Sequence, residues 1–360
     1  MRMTYTLLFA ALLSLTGCGS SNSSSKTLTS GSTYEGNAPT AVSTIAGTVG
    51  VAGSTDAIGT SALFGQPNGI IASPDGNTLY VADYGNNTIR QMVLSTGAVT
   101  TIAGSAGVSG TTDGTGSAAR FNGPHLLTTD GTNLFVPDYN NNSIRQIVIA
   151  TGAVTTLAGS TAGAAGAVDA TGTAARFNGP AGITITPDGS TLYVTDYSNG
   201  VIRKVVVATG AVTTLVTSAP FSNPAGIICD ASGTNLYITD LTANTINKLV
   251  IATGTVSTLA GSTANYGSAD GIGSLASFYT PNGITLLGSN LYVTDTSDDI
   301  IRKVSIATGA VTTVAGGVGV VGAGNGIGIV AGFFGPIGIT TDGTNLFVAD
   351  SGNKTIREVK

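Results

Sequence analysis

Pro67-Asn68-Gly69-Ile70-Ile71-Ala72-Ser73-Pro74-Asp75-Gly76-Asn77-Thr78-Leu79-Tyr80-Val81-Ala82-Asp83-Tyr84-Gly85-Asn86-Asn87-Thr88-Ile89-Arg90 is the stretch that decides the fold. An apolar run ends in Pro-Asp-Gly-Asn, a turn whose glycine takes positive φ without steric cost. A second apolar run closes at Asp83, and an Asn-rich turn follows. A third run, dense in β-branched and apolar residues, carries Arg90. Thr96-Gly97 then turns the chain into Ala98-Val99-Thr100-Thr101-Ile102-Ala103. Four short antiparallel strands in this order make one blade of a β-propeller.

The unit recurs along the chain. The Asp that closes the second strand returns at Asp83, Asp138, Asp196, Asp240, Asp295 and Asp350, in steps of 55, 58, 44, 55 and 55 residues. A long period built from short strands signals a propeller array rather than a row of independent domains. The 44-residue step reflects an outgoing loop shortened to Thr217-Ser218-Ala219-Pro220. The last unit has three strands only, ending in Ile356-Arg357-Glu358-Val359-Lys360, while Ala41-Val42-Ser43-Thr44-Ile45-Ala46-Gly47 copies the fourth strand of the first unit. The expectation is therefore an all-β, six-bladed propeller of four-stranded antiparallel blades, its last blade closed by the N-terminal strand. Such closure removes an open sheet edge. Val42 and Ile45 are expected to be buried by it, at about 1.5–3 kcal/mol each.

The run Pro-x-Gly-Ile, Asp-Gly, Leu-Tyr-Val-Ala-Asp, Asn-x-Thr-Ile-Arg resembles the NHL repeat over residues 41–360, and the Asp-Gly-x-Gly-x-x-Ala-x-Phe loops resemble those of bacterial NHL-repeat proteins. The resemblance implies a propeller of a kind that binds protein, RNA or carbohydrate, or carries a lyase or lactonase site. Fold likeness does not choose among these.

Arg2 precedes an apolar stretch from Leu7 to Leu15, which is too short to span a bilayer as a helix and has the form of a secretory h-region. Leu15-Thr16-Gly17-Cys18 resembles the bacterial lipoprotein processing box. The resemblance implies a signal peptide at 1–17, lipid on Cys18, and, with Gly19 rather than Asp next, an outer-membrane destination in the cell envelope. More than one acyl chain gives stable attachment. An ordinary signal peptide with an incidental Cys is the alternative. Residues 18–40, rich in Ser, Thr, Asn and Gly, read as a flexible tether to the propeller of residues 41–360. Cys229, the other thiol, reads as a small buried residue.

Charged residues make up 9% of the sequence, the formal net charge is −5, and no basic cluster occurs. A nucleic-acid partner, which requires a positive footprint, is excluded on that ground.

The six strand-ending aspartates could suggest a metal ring. Five of them, however, have Arg seven positions later: Asp83 with Arg90, Asp138 with Arg145, Asp196 with Arg203, Asp295 with Arg302 and Asp350 with Arg357. With a four-residue turn, Asp83 faces Thr88 and Arg90 is its diagonal neighbour, so the reading is structural: Asp braces the turn amides and pairs with Arg. The fourth unit has Asn247 instead. Asp56, Asp113, Asp169 and Asp270, with Asn325 in register, lie in the long loops. Capping of a short helical turn that ends in a buried Phe is favoured there, with calcium as the alternative.

The long loops and the Asn-rich turns emerge on one face, which carries Tyr84, Tyr139 and Tyr197 with Asn86, Asn87, Asn140, Asn141, Asn142 and Asn199. Aromatic rings beside amides suit sugars or polar peptide segments. They equally suit ordinary solvated turns. The position after the Pro of each first strand, at the channel mouth, reads Asn68, His125, Ala181, Ala225, Asn282 and Ile337. His125 is the sole His of the sequence, and its unit also departs from pattern at Leu126 and Pro137. A His of near-neutral pKa could be a base or ligand. No second His accompanies it, and the glutamates, Glu35 and Glu358, lie far from the mouth in sequence.

These residues favour a non-catalytic, monomeric, cofactor-free recognition platform, attached to the membrane through Cys18, with a protein, peptide or carbohydrate ligand on the loop face centred on Asn68, His125, Asn282, Tyr84, Tyr139 and Tyr197. A hydrolase or lyase working around His125 and a purely structural envelope component are the alternatives.

Overall fold

The computed structural model describes residues 40–216 and 220–360. Cys18, the signal-peptide reading of 1–17 and all but Thr40 of the tether reading of 18–40 lie outside them. Pro39–Lys360 forms one compact unit.

Six antiparallel sheets form six blades. We name each blade's strands a to d, with a nearest the axis. Blade 1 comprises Pro67–Ala72, Thr78–Asp83, Thr88–Val93 and Ala98–Gly104, and blade 2 comprises Thr128–Thr129, Asn133–Asp138, Ser143–Val148 and Ala153–Gly159. Blade 3 is Pro180–Ile185, Thr191–Asp196, Val201–Val206 and Ala211–Thr214; blade 4 is Pro224–Cys229, Asn235–Asp240, Thr245–Val250 and Thr255–Gly261. Blade 5 is Pro281–Leu287, Asn290–Asp295, Ile300–Ser305 and Ala310–Ala315. In blade 6, strands a to c are Pro336–Thr341, Leu346–Asp350 and Thr355–Val359, and strand d is Ala41–Ala46.

The closing strand runs antiparallel to Thr355–Val359, with Val42 opposite Val359 and Thr44 opposite Arg357. Val42 is buried, but Ile45 is not fully so: it occupies a β-bulge between Thr44 and Ala46 and packs only partly against the core, so Ala46 takes the sealed position. The bulge recurs in strand d of blades 1, 2, 4 and 5, where the register shifts between the second and third residues of strand c.

Apolar side chains lie between neighbouring blades rather than within one. Phe347 and Ala349 of blade 6 pack with Leu79, Val81 and Met92 of blade 1, and Tyr80 and Ile89 of blade 1 pack with Leu134 and Val136 of blade 2. Close approach is set by a strand-a glycine. A Cβ on Gly69, Gly182, Gly226, Gly283 or Gly338 would stand 2.0–2.4 Å from a carbonyl oxygen of the next blade, which no other residue could tolerate.

Five blades contain the same buried polar cluster. In blade 1, Arg90 bonds to Asp83 at 3.3 Å and to Asp56 at 2.7 Å, with its guanidinium 5.1 Å from the centre of the Phe64 ring. Arg145, Arg203 and Arg302 repeat this with Asp138 and Asp113, Asp196 and Asp169, and Asp295 and Asp270. In blade 6, Arg357 pairs with Asp350 at 2.8 Å and uses Asn325 Oδ1 in place of the loop carboxylate. All five guanidinium groups are fully buried.

Two expectations need correction. The loop aspartates do not cap the short helical turns: Gly59–Ser61 has Ile58 at its N-cap and no side-chain cap, and Gly116–Ala118 likewise. Asp56 instead accepts from the Thr101 amide and hydroxyl beside the strand-d bulge, where an edge N–H faces outward. Asp240 accepts from the amide of Ala243 in its own turn as expected, but the other strand-ending aspartates brace a different segment. Asp83 accepts from the amides of Gly65 and Gln66 in the incoming loop, not from the amides of its own turn.

Candidate functional site

The b–c turns and strand-a starts form one end of the axis. After the buried Asp, blades 1, 2, 3 and 5 make a single 3-10 turn, Tyr84–Asn86 in blade 1 and Tyr139–Asn141 in blade 2, then a residue in the left-handed region, Asn87 at φ 57° or Asn142 at φ 54°. The asparagines are consumed by the scaffold. Asn86 Nδ2 donates to Asp83 and to the Gly53 carbonyl, with Asn141 and Asn199 doing the same in their blades. Asn87 and Asn142 accept from Gly123 and Gly179 of the next blade. Asn140 is exposed and bonds to Asn122. The tyrosines at the start of these turns remain free to face the axis.

They line a cavity of about 470 Å³ with Gln66, Asn68, His125, Ala181, Ala225, Leu241 and Asn282, contributed by five blades. The sequence-selected residues Asn68, His125, Asn282, Tyr84, Tyr139 and Tyr197 are thus gathered in one place. Gln66, before the blade 1 Pro, and Leu241, at the tyrosine position of blade 4, were not selected from sequence. Aligning the residue after each strand-ending Asp (Tyr84, Tyr139, Tyr197, Leu241, Thr296, Ser351) would have revealed Leu241 and a two-sided mouth. Blades 1 to 3 supply aromatics and blade 4 an aliphatic, while the hydroxyls of Thr296 and Ser351 donate to the Pro336 carbonyl and to Asn68.

The aromatic side is continuous. Tyr84 meets His125 edge-on at 6.3 Å between centroids, His125 lies 5.7 Å from Tyr139 at an interplanar angle of 34°, and Tyr139 lies 6.1 Å from Tyr197 at 64°. Below the mouth, Ile70, Leu127, Ile183, Ile227, Ile284 and Ile339, one from each strand-a segment, surround a residual cavity of about 40 Å³. The pocket therefore has an apolar floor.

The irregularity of blade 2 has a local cause. In blades 3, 4 and 5 a threonine just before the strand-ending Asp donates to the next blade: Thr195 to the Ala225 carbonyl at 2.8 Å, Thr239 to Asn282 at 2.6 Å, Thr294 to Ile337 at 2.7 Å. Blade 2 has Pro137 there, without a hydroxyl. The carbonyl that such a threonine would serve, that of Ala181, lies 3.2 Å from His125 Nδ1. A carbonyl only accepts, so Nδ1 carries the proton and Nε2 keeps its lone pair. Leu126 replaces the close-approach glycine, and strand a shrinks to Thr128–Thr129.

Burial pushes the His125 pKa down to about 4, with the bond to Ala181 opposing it. The ring is therefore a neutral imidazole at physiological pH. Burial raises the phenols of Tyr139 and Tyr197 above their ordinary value, so these too are uncharged. Asp83, Asp138 and Asp196 lie behind the tyrosines, buried and paired with Arg, and do not line the cavity. Among the described residues no group of three or more His, Cys, Asp or Glu is placed to hold a metal ion. Cys229 is buried, and burial pushes its thiol up to about 11.

No family model matches the sequence. NHL repeat-containing protein 2 of Bos taurus and of Homo sapiens are each 33% identical to the chain over 156 residues, which is 41% of this chain and 21% of theirs. The chain thus spans about a fifth of the length of the curated relatives it matches. Among solved structures, a structural genomics protein of unknown function from Bacteroides thetaiotaomicron is similar with TM-score 0.70 and 23% identity, covering 89% of this chain and 75% of that one. An auxiliary nutrient binding protein from the same organism has TM-score 0.69, 18% identity and coverage of 89% and 76%. Catalytically inactive virginiamycin B lyase from Staphylococcus aureus with quinupristin has TM-score 0.56, 15% identity and coverage of 89% and 99%. With its six antiparallel sheets closed into a ring, the chain is a six-bladed β-propeller that is similar over 156 residues to NHL repeat-containing protein 2.

Proposed function

We propose that the protein is a non-catalytic binding scaffold held at the bacterial cell envelope, with its ligand seated in the axial mouth. One observation carries this reading: the pocket of about 470 Å³, a ligand-sized concavity, has an aromatic wall on one side only and no charged side chain in its lining. The solved neighbours share the fold and contribute nothing finer. Around His125, Nδ1 is committed to a backbone carbonyl and no carboxylate orients the ring. A group with a pKa of about 4 is a weak base at neutral pH, so the arrangement supports recognition better than hydrolysis or elimination.

The test is to probe glycan, peptide and protein arrays with the wild type and a Tyr84→Ala/Tyr139→Ala/Tyr197→Ala variant. Loss of specific signal in the variant is expected; identical profiles would remove the mouth as the binding site. Envelope attachment rests on Leu15-Thr16-Gly17-Cys18. Palmitate labelling that disappears in Cys18→Ala, with globomycin-sensitive processing, is the expected result. Unlabelled wild-type protein would refute it. Fractionation then tests the outer-membrane destination.

A further inference from the structure

Given that the axial mouth is a ligand site, a reading on which this inference rests, we propose that its ligand is an uncharged saccharide, stacked along Tyr84, His125, Tyr139 and Tyr197 and bonded through its hydroxyls to His125 Nε2 and the amides of Asn68 and Asn282.

Charge narrows the ligand first. No Lys, Arg, Asp or Glu lines the cavity, and the nearby Asp83, Asp138 and Asp196 are already neutralised by buried arginines. An ionic ligand would shed its hydration there without gaining a counter-charge. A cation could still use aromatic faces, since it needs a ring centroid within about 6 Å. The rings follow one another along an arc at 5.7 to 6.3 Å between centroids. Such a run extends contact over a ligand of several rings or several CH faces.

The hydrogen-bonding groups narrow it further. His125 Nε2 is an acceptor by virtue of the Nδ1 bond to Ala181. Asn282 is 9% exposed, and its Oδ1 is buried without a partner, an arrangement that is unfavourable unless a donor reaches it. Asn68 Oδ1 receives Ser351 Oγ at 3.0 Å, which leaves its Nδ2 to donate. Acceptors and a donor thus belong to residues that line the same cavity. Hydroxyls, which both donate and accept, satisfy such a set with a single type of group. A peptide is less well served, because the inner edge of strand a at the mouth is already engaged: the carbonyls of Ala181, Ala225, Asn282 and Ile337 accept from His125, Thr195, Thr239 and Thr294, which leaves little main chain for augmentation. Below the mouth the space narrows to about 40 Å³, which suits a short saccharide or the end of a longer one.

Calorimetric titration of the intact protein with neutral mono-, di- and trisaccharides, uronate oligosaccharides, choline and short neutral peptides tests the proposal. Because the sequence has a single His, ¹⁵N NMR of the imidazole gives a second, unambiguous readout. The expected result is binding of a neutral saccharide, at least tenfold weaker in Tyr139→Ala and little changed in Tyr139→Phe, with a shift of the unprotonated Nε2 resonance on addition. Equal melting temperatures establish that the variants fold, and Tyr84→Ala substitutes if Tyr139→Ala does not. Binding of choline, a uronate or a peptide that is lost in the same variants overturns the saccharide assignment while leaving the mouth as a binding site. Saccharide binding indifferent to the tyrosines, or silence across the whole panel, overturns both.

Discussion

At Asp298 a carboxylate with one buried oxygen stands where four other blades have an amide. In four blades an asparagine three positions after the strand-ending Asp donates to that Asp and to a loop carbonyl, as Asn353 does to Asp350 and Gly322 at 2.8 Å. Blade 5 has Asp298 there, and its Oδ2 is buried without a partner. Burial pushes the Asp295 carboxyl up to about 7, Arg302 opposing and Asp298 adding to the rise, and burial also raises Asp298. These folded carboxyls hold protons more tightly than exposed ones, whose pKa is about 3.9. Their contribution to stability is therefore present at low pH and is lost as pH rises from about 4 through the Asp295 value of about 7. Asp298→Asn restores a donor and should add about 1 kcal/mol, more at pH 8 than at pH 5; denaturant melts at both pH values check it. The opposite sign is expected at Arg145. Its removal leaves Asp138 buried without its cation and should cost about 3–5 kcal/mol. A double-mutant cycle on Asp83 and Arg90 should show coupling, and strictly additive effects would contradict the pair.

At the scale of elements, the reach of the sequence depended on whether a feature repeats. Strand periodicity, the Asp–Arg spacing and the Tyr positions repeat from unit to unit, and each could be placed from residue number alone. The Asp56 contact to Thr101 was not legible because it depends on a bulge in a strand 45 residues away, and a single sequence does not mark bulges. Nor was the tautomer of His125, since it follows from a missing hydroxyl at Pro137 and a carbonyl in the next blade. That dependence is testable. Pro137→Thr should let a hydroxyl reach Ala181, by analogy with Thr195 and Thr239, and release His125. The imidazole would then show mixed tautomers by ¹⁵N NMR, whereas an unchanged single tautomer would show that something else holds the ring. Blade 4 teaches the same lesson in reverse. Its incoming loop is short, the loop carboxylate is gone, and Asn247 bonds to Thr258 across the strand instead of Arg reaching outward.

For the molecule as a whole, four blades carry a fifth, two-residue strand on the outer edge, drawn from the incoming loop: Ala57–Ile58, Gly114–Thr115, Gly271–Ile272 and Gly326–Ile327. Blade 3 has only an isolated bridge at Thr171–Ala211 in that place. Blade 4 has no such strand among the described residues, so Thr255–Gly261 is the ring's least protected edge. A Ser257→Lys substitution, at an exposed position of that strand, should reduce aggregation on heating, read by light scattering, with little change in melting temperature. Deletion of residues 41–47 should lower the melting temperature sharply or cause aggregation, because Val42 and Ala46 are sealed against two different interblade cores. An unaltered melt would show that the ring does not need its clasp.

That clasp also dictates a timetable. Val42 finds its partner in Val359, more than three hundred positions downstream, so the first strand to be synthesised must wait for the last. Contacts so distant in sequence are slow to form. A chain emerging gradually from the ribosome keeps its first β-edge unmated throughout synthesis, and the two extremities can meet only once the last strand is out. Chaperone capture should therefore persist until the final residues are released, and then end abruptly.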